Sequence, residues 1–321
     1  MIKTKEKVCV TTFVFGDKYK SYIPLLLYSL KKAYPDYVPI IFIHGELSNK
    51  VQSLLKIIKD LGEFKLVENY FSEFDNLERK QGSALRWVIY EDYFLDFDFL
   101  YYVDIDIFYL REPIPLHSQH KNHIEKFELP FSNVKREKIT DNRELKTIKK
   151  RFDSFGLINT LRQYFNGRVV ENRFTGLHFV VPNEYFLRVK KAQDLLKEML
   201  LDNSYLNEFQ GFSDEPMLYW IIKESGYNVD LFGQYSEPNS LDFENYKSLD
   251  FRPHHGIHLA IFRENNFNKE KFSVILNSPA YQFYFEAFNY QIKSDPIFNL
   301  VLEGSDNFIK DQFSRMQLIS N

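Results

Sequence analysis

FDFLYYVDIDIFYL, residues 97–110, decides how the rest of the chain is read. Phe99, Leu100, Tyr101, Tyr102 and Val103 form an apolar, aromatic run bounded by the polar Asp96 and Asp98, the pattern of a buried strand. The run ends in Asp104-Ile105-Asp106. Side chains alternate along a strand, so an extended chain here turns Asp104 and Asp106 into one cleft and returns Ile105 to the core. Two bare carboxylates ~4 Å apart repel by about 4 kcal/mol at an effective dielectric of 20. A divalent cation converts that repulsion into binding, and oxygen ligands with open positions suit Mg²⁺ or Mn²⁺ shared with a substrate phosphate. The plainer reading is two solvated aspartates at the end of a sheet strand. In open α/β sheets, however, the carboxyl end of the strands is where ligands bind.

Working outward, Val8 to Phe15 is a first strand, and Ile23, Leu26, Leu27 and Leu30 have the spacing of an amphipathic helix. Val38 to Ile43 is a second buried strand. Val51 to Leu61 predicts a helix ended by Gly62, Lys65 to Asn69 a third strand, and Ser83 to Phe94 a helix leading into the central strand. Strands alternating with helices predict an α/β fold with a mostly parallel sheet.

The 321 residues allow one large domain or a domain with a substantial insertion. With 44% hydrophobic and 17% aromatic residues there is ample material for a core. A net charge of −3 argues against nucleic acid as a partner. The single cysteine, Cys9, excludes an intrachain disulfide and a multi-cysteine zinc site, and its apolar strand makes it a buried core thiol. MIKTKEK passes straight into VCVTTFVF, so no signal peptide is expected. No stretch approaches ~20 uninterrupted apolar residues, so no membrane span is expected and the location predicted is cytoplasmic, at the inner face of a membrane if associated.

From Arg111 to about Arg173 the pattern changes to a polar, lysine-rich insertion or lid, helical around Glu144 to Tyr164, with Lys146, Lys149, Lys150 and Arg151 in a cluster. That cluster is either a solvated face or a surface for anionic lipid or an anionic acceptor. Thr175 to Val181 resumes strand character. Asn183 is a candidate cap for the helix that follows, and Ser213 for a helix from Asp214 to about Ser225. Val229 to Phe232 and Ile257 to Phe262 read as strands, Ala280 to Ile292 and Asp306 to Leu318 as helices. Phe283, Phe285, Phe288 and Tyr290 in the tail point to core, a homodimer contact or peripheral membrane docking.

Three further groups belong with the paired aspartates. Thr11, Thr12 and Phe13, with Asp17 and Tyr19, stand at and just past the end of the first strand, where a base and ribose can be laid against backbone and hydroxyl groups. Asp214 and Glu215 open a helix, where acids also serve as caps. His254, His255 and His258 surround Gly256 and offer an imidazole to a metal.

In this order the features resemble the GT-A glycosyltransferases, most closely the family-eight, retaining, Asp-x-Asp sugar transferases. The matching positions are Thr11 and Tyr19, Arg86 in GSALRWVIYED, Asp104 and Asp106, Thr175-Gly176, Asp214-Glu215-Pro216-Met217-Leu218, and one of His255 or His258. The sequence departs from the family where Glu215 replaces a Gln, where Pro216 replaces an Asp, and where Leu259-Ala260-Ile261-Phe262-Arg263 replaces the usual Gly-x-x-Lys-Pro-Trp. The resemblance implies a GT-A sheet with a helical insertion and a helical C-terminal tail. It divides the chain into a nucleotide-sugar half (1–110), an insertion or lid (111–173), an acceptor-side half (174–265) and a helical extension (266–321).

The implied activity is metal-dependent transfer of a sugar from a nucleotide-diphosphate sugar, a UDP-sugar first, to a glycan or lipid-linked acceptor, as in bacterial surface polysaccharide synthesis. The implied metal set is Asp104, Asp106 and His258, with His255 the second choice, holding Mn²⁺ or Mg²⁺. Arg86 and Arg263 would meet the diphosphate or donor sugar, and Asp214 and Glu215 would face that sugar. Two other classes share the aspartate signature: a haloacid-dehalogenase-type phosphotransferase, and a non-catalytic carbohydrate-binding protein on a transferase fold.

Overall fold

The computed structural model describes residues 6–133, 135–165, 167–209, 213–229, 234–236, 255–267, 273 and 275–320. Its centre is β1 (Val8–Val14), buried along its whole length. It pairs in parallel with β2 (Val38–Ile43) on one side and β4 (Phe99–Tyr102) on the other, and β3 (Lys65–Val67) extends the parallel set beyond β2. The remaining elements of the sheet arrive antiparallel: β9 (His178–Val180) joins β4, and β6 (Phe131–Ser132) joins β9. The order across the six strands is β3-β2-β1-β4-β9-β6.

Two apolar layers follow from the alternation. Val8, Val10, Tyr101 and Val103 pack into one core with the helix Ile23–Ala33 and the C-terminal helices. Cys9, Phe13, Leu100 and Tyr102 pack into the other with the helix Pro182–Leu201 and the helix Glu215–Glu224. Cys9 is fully buried, and that burial pushes its thiol pKa up, as befits a core thiol. The expected α/β architecture, a mostly parallel sheet flanked by helices with a helical C-terminal region, is therefore the one observed.

Among the described residues two small sheets accompany it. β5 (Ile107–Phe108) pairs antiparallel with β11 (Ile257–His258). β7 (Lys135–Asp141), β8 (Arg168–Phe174) and β10 (Gln234–Ser236) form the third sheet, with the helix Leu145–Phe165 carried between β7 and β8. Among the described residues no helix is long and apolar enough to cross a membrane.

Several expected elements are corrected. The helix expected over residues 83–94 is broken into a helix Arg79–Leu85, a 3₁₀ turn Arg86–Val88 and another at Asp92–Asp96. Its start is set by Glu78 and Gln81, which cap each other's backbone. The strand expected over 257–262 stops at His258 and becomes a 3₁₀ turn, Leu259–Phe262. Val181, not Asn183, caps the helix that Pro182 opens, and the strand read as running to Val181 begins only at His178. The tail contains a helix, Pro296–Gly304, that the pattern did not reveal, capped by Asp295 Oδ1 accepting from the Ile297 and Phe298 amides (2.8 and 3.2 Å). Phe285 and Phe288 are core, whereas Tyr290 is exposed. Of the strand expected at 229–232, residues 230–232 lie outside the described residues, as does His254.

His178 on β9 gives the fold an acid-sensitive point. It is fully buried, and its Nδ1 accepts a hydrogen bond from Asn133 Nδ2 at 3.0 Å. Burial pushes its pKa down to about 3. The unfolded chain protonates this group near about 6.5. The contribution of neutral His178 is therefore complete above that pH, and it is lost as the pH falls from there towards the folded value. The slope approaches about 1.4 kcal/mol per pH unit for one such group. Urea midpoints of the wild type are expected to drop between pH 7.5 and pH 5, and His178→Gln to drop less steeply over the same range.

Candidate active site

The strand that carries the two aspartates does not stay extended through them. Val103 still donates its amide to the Thr11 carbonyl at 3.0 Å, but Ile105 and Asp106 form a turn before β5. The turn is imposed by β11: Ile107 lies opposite His258, and the Leu259 amide donates to the Asp106 carbonyl at 2.8 Å. Gly256 makes the approach to that ladder feasible. Its φ is +83°, and a Cβ there would stand 2.5 Å from the Phe108 carbonyl oxygen. The expected extended geometry is corrected, yet its consequence survives. Asp104 and Asp106 both line one cavity of about 290 Å³ past the carboxyl ends of β1 and β4. Ile105 reaches that cavity too while packing against the core.

Each aspartate has its own cationic partner. Arg86 Nη1 bonds Asp104 Oδ1, and its Nε and Nη2 reach Asp214 Oδ2 at 3.0 and 2.9 Å. The Trp87 indole also donates to Asp214 Oδ2, at 2.9 Å, so three N–H groups converge on one oxygen. Burial raises the Asp214 pKa, and the opposing pull of Arg86 does not bring it back to the ordinary value.

Asp106 sits between two groups. His258 Nε2 lies 3.2 Å from its Oδ1, and Arg263 Nη2 donates to its Oδ2 at 2.6 Å. Burial alone would raise the Asp106 pKa, but His258 and Arg263 outweigh it and bring the pKa down to about 2. The reciprocal effect raises His258 against its own burial.

The cavity unites most of the residues expected from sequence. Thr12, Phe13, Tyr19, Arg86, Asp104, Asp106, Asp214, His258 and Arg263 line it. Three others are elsewhere. The Thr11 hydroxyl donates to the Ile40 carbonyl at 2.9 Å, inside the sheet, because its place in β1 turns it towards β2. His255 Nδ1 is 3.1 Å from Glu112 Oε1 in a fully buried pair, which leaves His258 as the imidazole of the cavity among the described residues. Glu215 does not line the cavity either, since its carboxylate pairs with Arg173 of β8 at 3.0 Å. Phe15 and Trp87 were missed. The Phe15 ring fits over Gly82, where a Cβ would stand 2.5 Å from it. Trp87 was legible only as the neighbour of Arg86.

Gly176 stands against the Arg86–Asp104 ion pair. A Cβ there would lie 3.0 Å from Arg86 Nη2 and 3.3 Å from Asp104 Oδ2. Gly176→Val is expected to part that ion pair at a cost of about 1–3 kcal/mol of overpacking. Thermal midpoint and turnover measured together check it: both should fall, turnover the more.

The residues fit a divalent ion only in part. Among the described residues no three His, Cys, Asp or Glu side chains stand close enough to cage one. The 3.2 Å between Asp106 Oδ1 and His258 Nε2 is, however, close to the ~3 Å that separates neighbouring ligands of an octahedral ion bound at ~2.1 Å. A carboxylate and an imidazole are acceptable to Mn²⁺, and such ions often take most of their remaining ligands from water and a substrate phosphate. Two cationic side chains already rest on the same carboxylates. The Asp106–His258 pair therefore supplies two ligand positions of such an ion, and the rest would have to come from water or a bound phosphate.

No protein-family model matches the chain, and no curated protein matches it. Solved structures with a similar course include the galactosyltransferase LgtC in complex with donor and acceptor sugar analogues. It is 10% identical over 91% of this chain and 99% of that one, with a TM-score of 0.41. Core-mannan synthase A from Aspergillus fumigatus in its Mn/GDP form is 9% identical over 69% and 71% of the two chains, with a TM-score of 0.40. The glycosyltransferase GlyE of Streptococcus pneumoniae is 13% identical over 98% and 64%, with a TM-score of 0.39. Similarity this low does not carry an activity from those proteins to this chain.

Proposed function

We propose that the chain is a glycosyltransferase that takes a sugar from a nucleotide-diphosphate sugar, a UDP-sugar first, and passes it to a glycan or lipid-linked acceptor such as a bacterial surface polysaccharide. The observation that carries the reading is the meeting, in one cavity, of the Asp106–His258 pair and the Asp104–Arg86–Asp214 cluster. Asp106 and His258 would hold Mn²⁺ or Mg²⁺, with Asp104 as a further ligand if Arg86 yields one of its oxygens. The ion, when bound, supplies a Lewis acid for the charge that develops on the leaving diphosphate.

The chain's own residues do the rest. Arg263, anchored on Asp106, presents its guanidinium to phosphate oxygens. Thr12 and the rings of Phe13, Phe15 and Tyr19 form the wall available to a base and ribose. Asp214 is held in place by Arg86 and Trp87, and it faces the space left for the donor sugar. There it stabilises positive charge at the anomeric carbon, consistent with the retaining chemistry that the family resemblance implies.

A panel of nucleotide sugars tests the proposal by Mn²⁺-dependent thermal stabilisation and slow donor hydrolysis. One nucleotide sugar should raise the midpoint with Mn²⁺ by several degrees more than without it. A panel with no responder, and no hydrolysis, refutes the reading.

A further inference from the structure

A second cavity, of about 480 Å³, adjoins the first and shares Arg79 and Arg263 with it. Arg79, Arg263, Lys18 and Arg315 all line it, against the carboxylates of Glu264 and Asp311. Arg263 is turned by its bond to Asp106, so one guanidinium spans both spaces. Arg315 is fixed by its Nη1 donating to the Phe262 carbonyl at 3.0 Å, and Lys18 Nζ stands 5.3 Å from the Phe308 ring centroid.

The wall between these cations is built rather than incidental. Gln312 lines the cavity while only 1% exposed. Its Oε1 accepts from Tyr22 at 2.9 Å, and its Nε2 is buried with no hydrogen-bond partner in the protein. A buried donor left unmatched costs about 1–3 kcal/mol, and the residue that carries it lies in the wall of this cavity. Four cationic side chains beside an amide donor suit an acid group better than a neutral hydroxyl.

We infer that this second cavity is the acceptor site, and that it takes a saccharide carrying an anionic group, a carboxylate or a phosphate. The inference rests on the donor reading above, because a shared Arg263 places the acceptor cavity next to the diphosphate. Lys18 and Arg315 line only this cavity and set its preference for the acid group.

Isothermal titration of the full chain tests it with glucuronate, glucose 6-phosphate and neutral glucose, and separately with UDP in Mn²⁺. The wild type is expected to bind at least one anionic sugar tenfold or more tighter than glucose. The stronger of the two distinguishes a carboxylate from a phosphate site. Lys18→Gln and Arg315→Gln should each weaken that sugar tenfold while binding UDP as the wild type does. Circular dichroism guards against an unfolded Arg315→Gln, and the exposed Lys18→Gln stands as the independent variant. Equal binding of glucose and both anions, or variants that bind the anion as the wild type does, overturns the inference while UDP binding keeps the donor reading. A wild type that binds neither UDP nor any member of the nucleotide-sugar panel overturns both.

Discussion

Asp106→Asn is expected to lower Mn²⁺-dependent sugar transfer by about a thousandfold, on the order of 4 kcal/mol in the barrier, while the protein stays folded. The size follows from what Asp106 does twice over. Its Oδ1 faces His258 and its Oδ2 accepts from Arg263, so on the proposed reading one carboxylate would organise both the ion's imidazole and the guanidinium offered to phosphate. Asparagine keeps the volume and one acceptor oxygen but removes the negative charge, and an amide is a poor substitute ligand for a hard cation. The fold should tolerate the change because the turn at residues 105–106 is held by backbone bonds, notably Leu259 N–H to Asp106 carbonyl. Turnover, circular dichroism and the Mn²⁺-dependent midpoint shift give three readings of one variant. Wild-type transfer in Mn²⁺ by a folded Asp106→Asn would remove the ion site from the mechanism.

The parts of this site that were legible from sequence depend on local spacing. Phe99–Tyr102 is an unbroken apolar run, so the strand, its burial on both faces and the two aspartates beyond it could be read directly. What stayed hidden depends on chain segments far apart in sequence. The turn after Asp104 exists because β5 pairs with β11, and no property of DIDIF announces that partner. The choice between His255 and His258 is a question of register in a two-residue ladder. Gly256 resolves it by its positive φ, which turns His255 towards Glu112 and leaves His258 beside Asp106. Glu215 looked equivalent to Asp214 because the two are adjacent. Arg173, on a strand of the third sheet, draws it away from the cavity. The helix expected over 83–94 fails for a related reason: past Leu85 the chain tightens into a 3₁₀ turn, and Arg86 and Trp87 both reach Asp214 from it.

Arg86→Met is expected to produce the largest loss of stability of any substitution around the cavity, about 3–5 kcal/mol, because it removes one partner from a buried charge cluster. Arg86 is buried, and its guanidinium bonds two carboxylates with its face 4.2 Å from the centroid of the Trp87 ring. Methionine restores much of the volume but leaves Asp104 and Asp214 with no cation between them. Trp87 still donates to Asp214, which limits the damage without neutralising the charge. The pH dependence gives the cause away. Burial already raises the Asp214 pKa in the presence of Arg86, and removing the arginine raises it further. A carboxyl group whose folded pKa lies above its unfolded value weakens the fold at high pH, and that penalty fades as the pH falls through the folded value. The deficit of Arg86→Met relative to wild type should therefore shrink between pH 7 and pH 5 in urea titrations. Adding Asp214→Asn should recover part of it at pH 7, with a coupling of about 1–3 kcal/mol in the double-mutant cycle. A deficit that is constant with pH and strictly additive would mean that Arg86 acts by packing on Trp87, and that the charge cluster does not hold the cavity together.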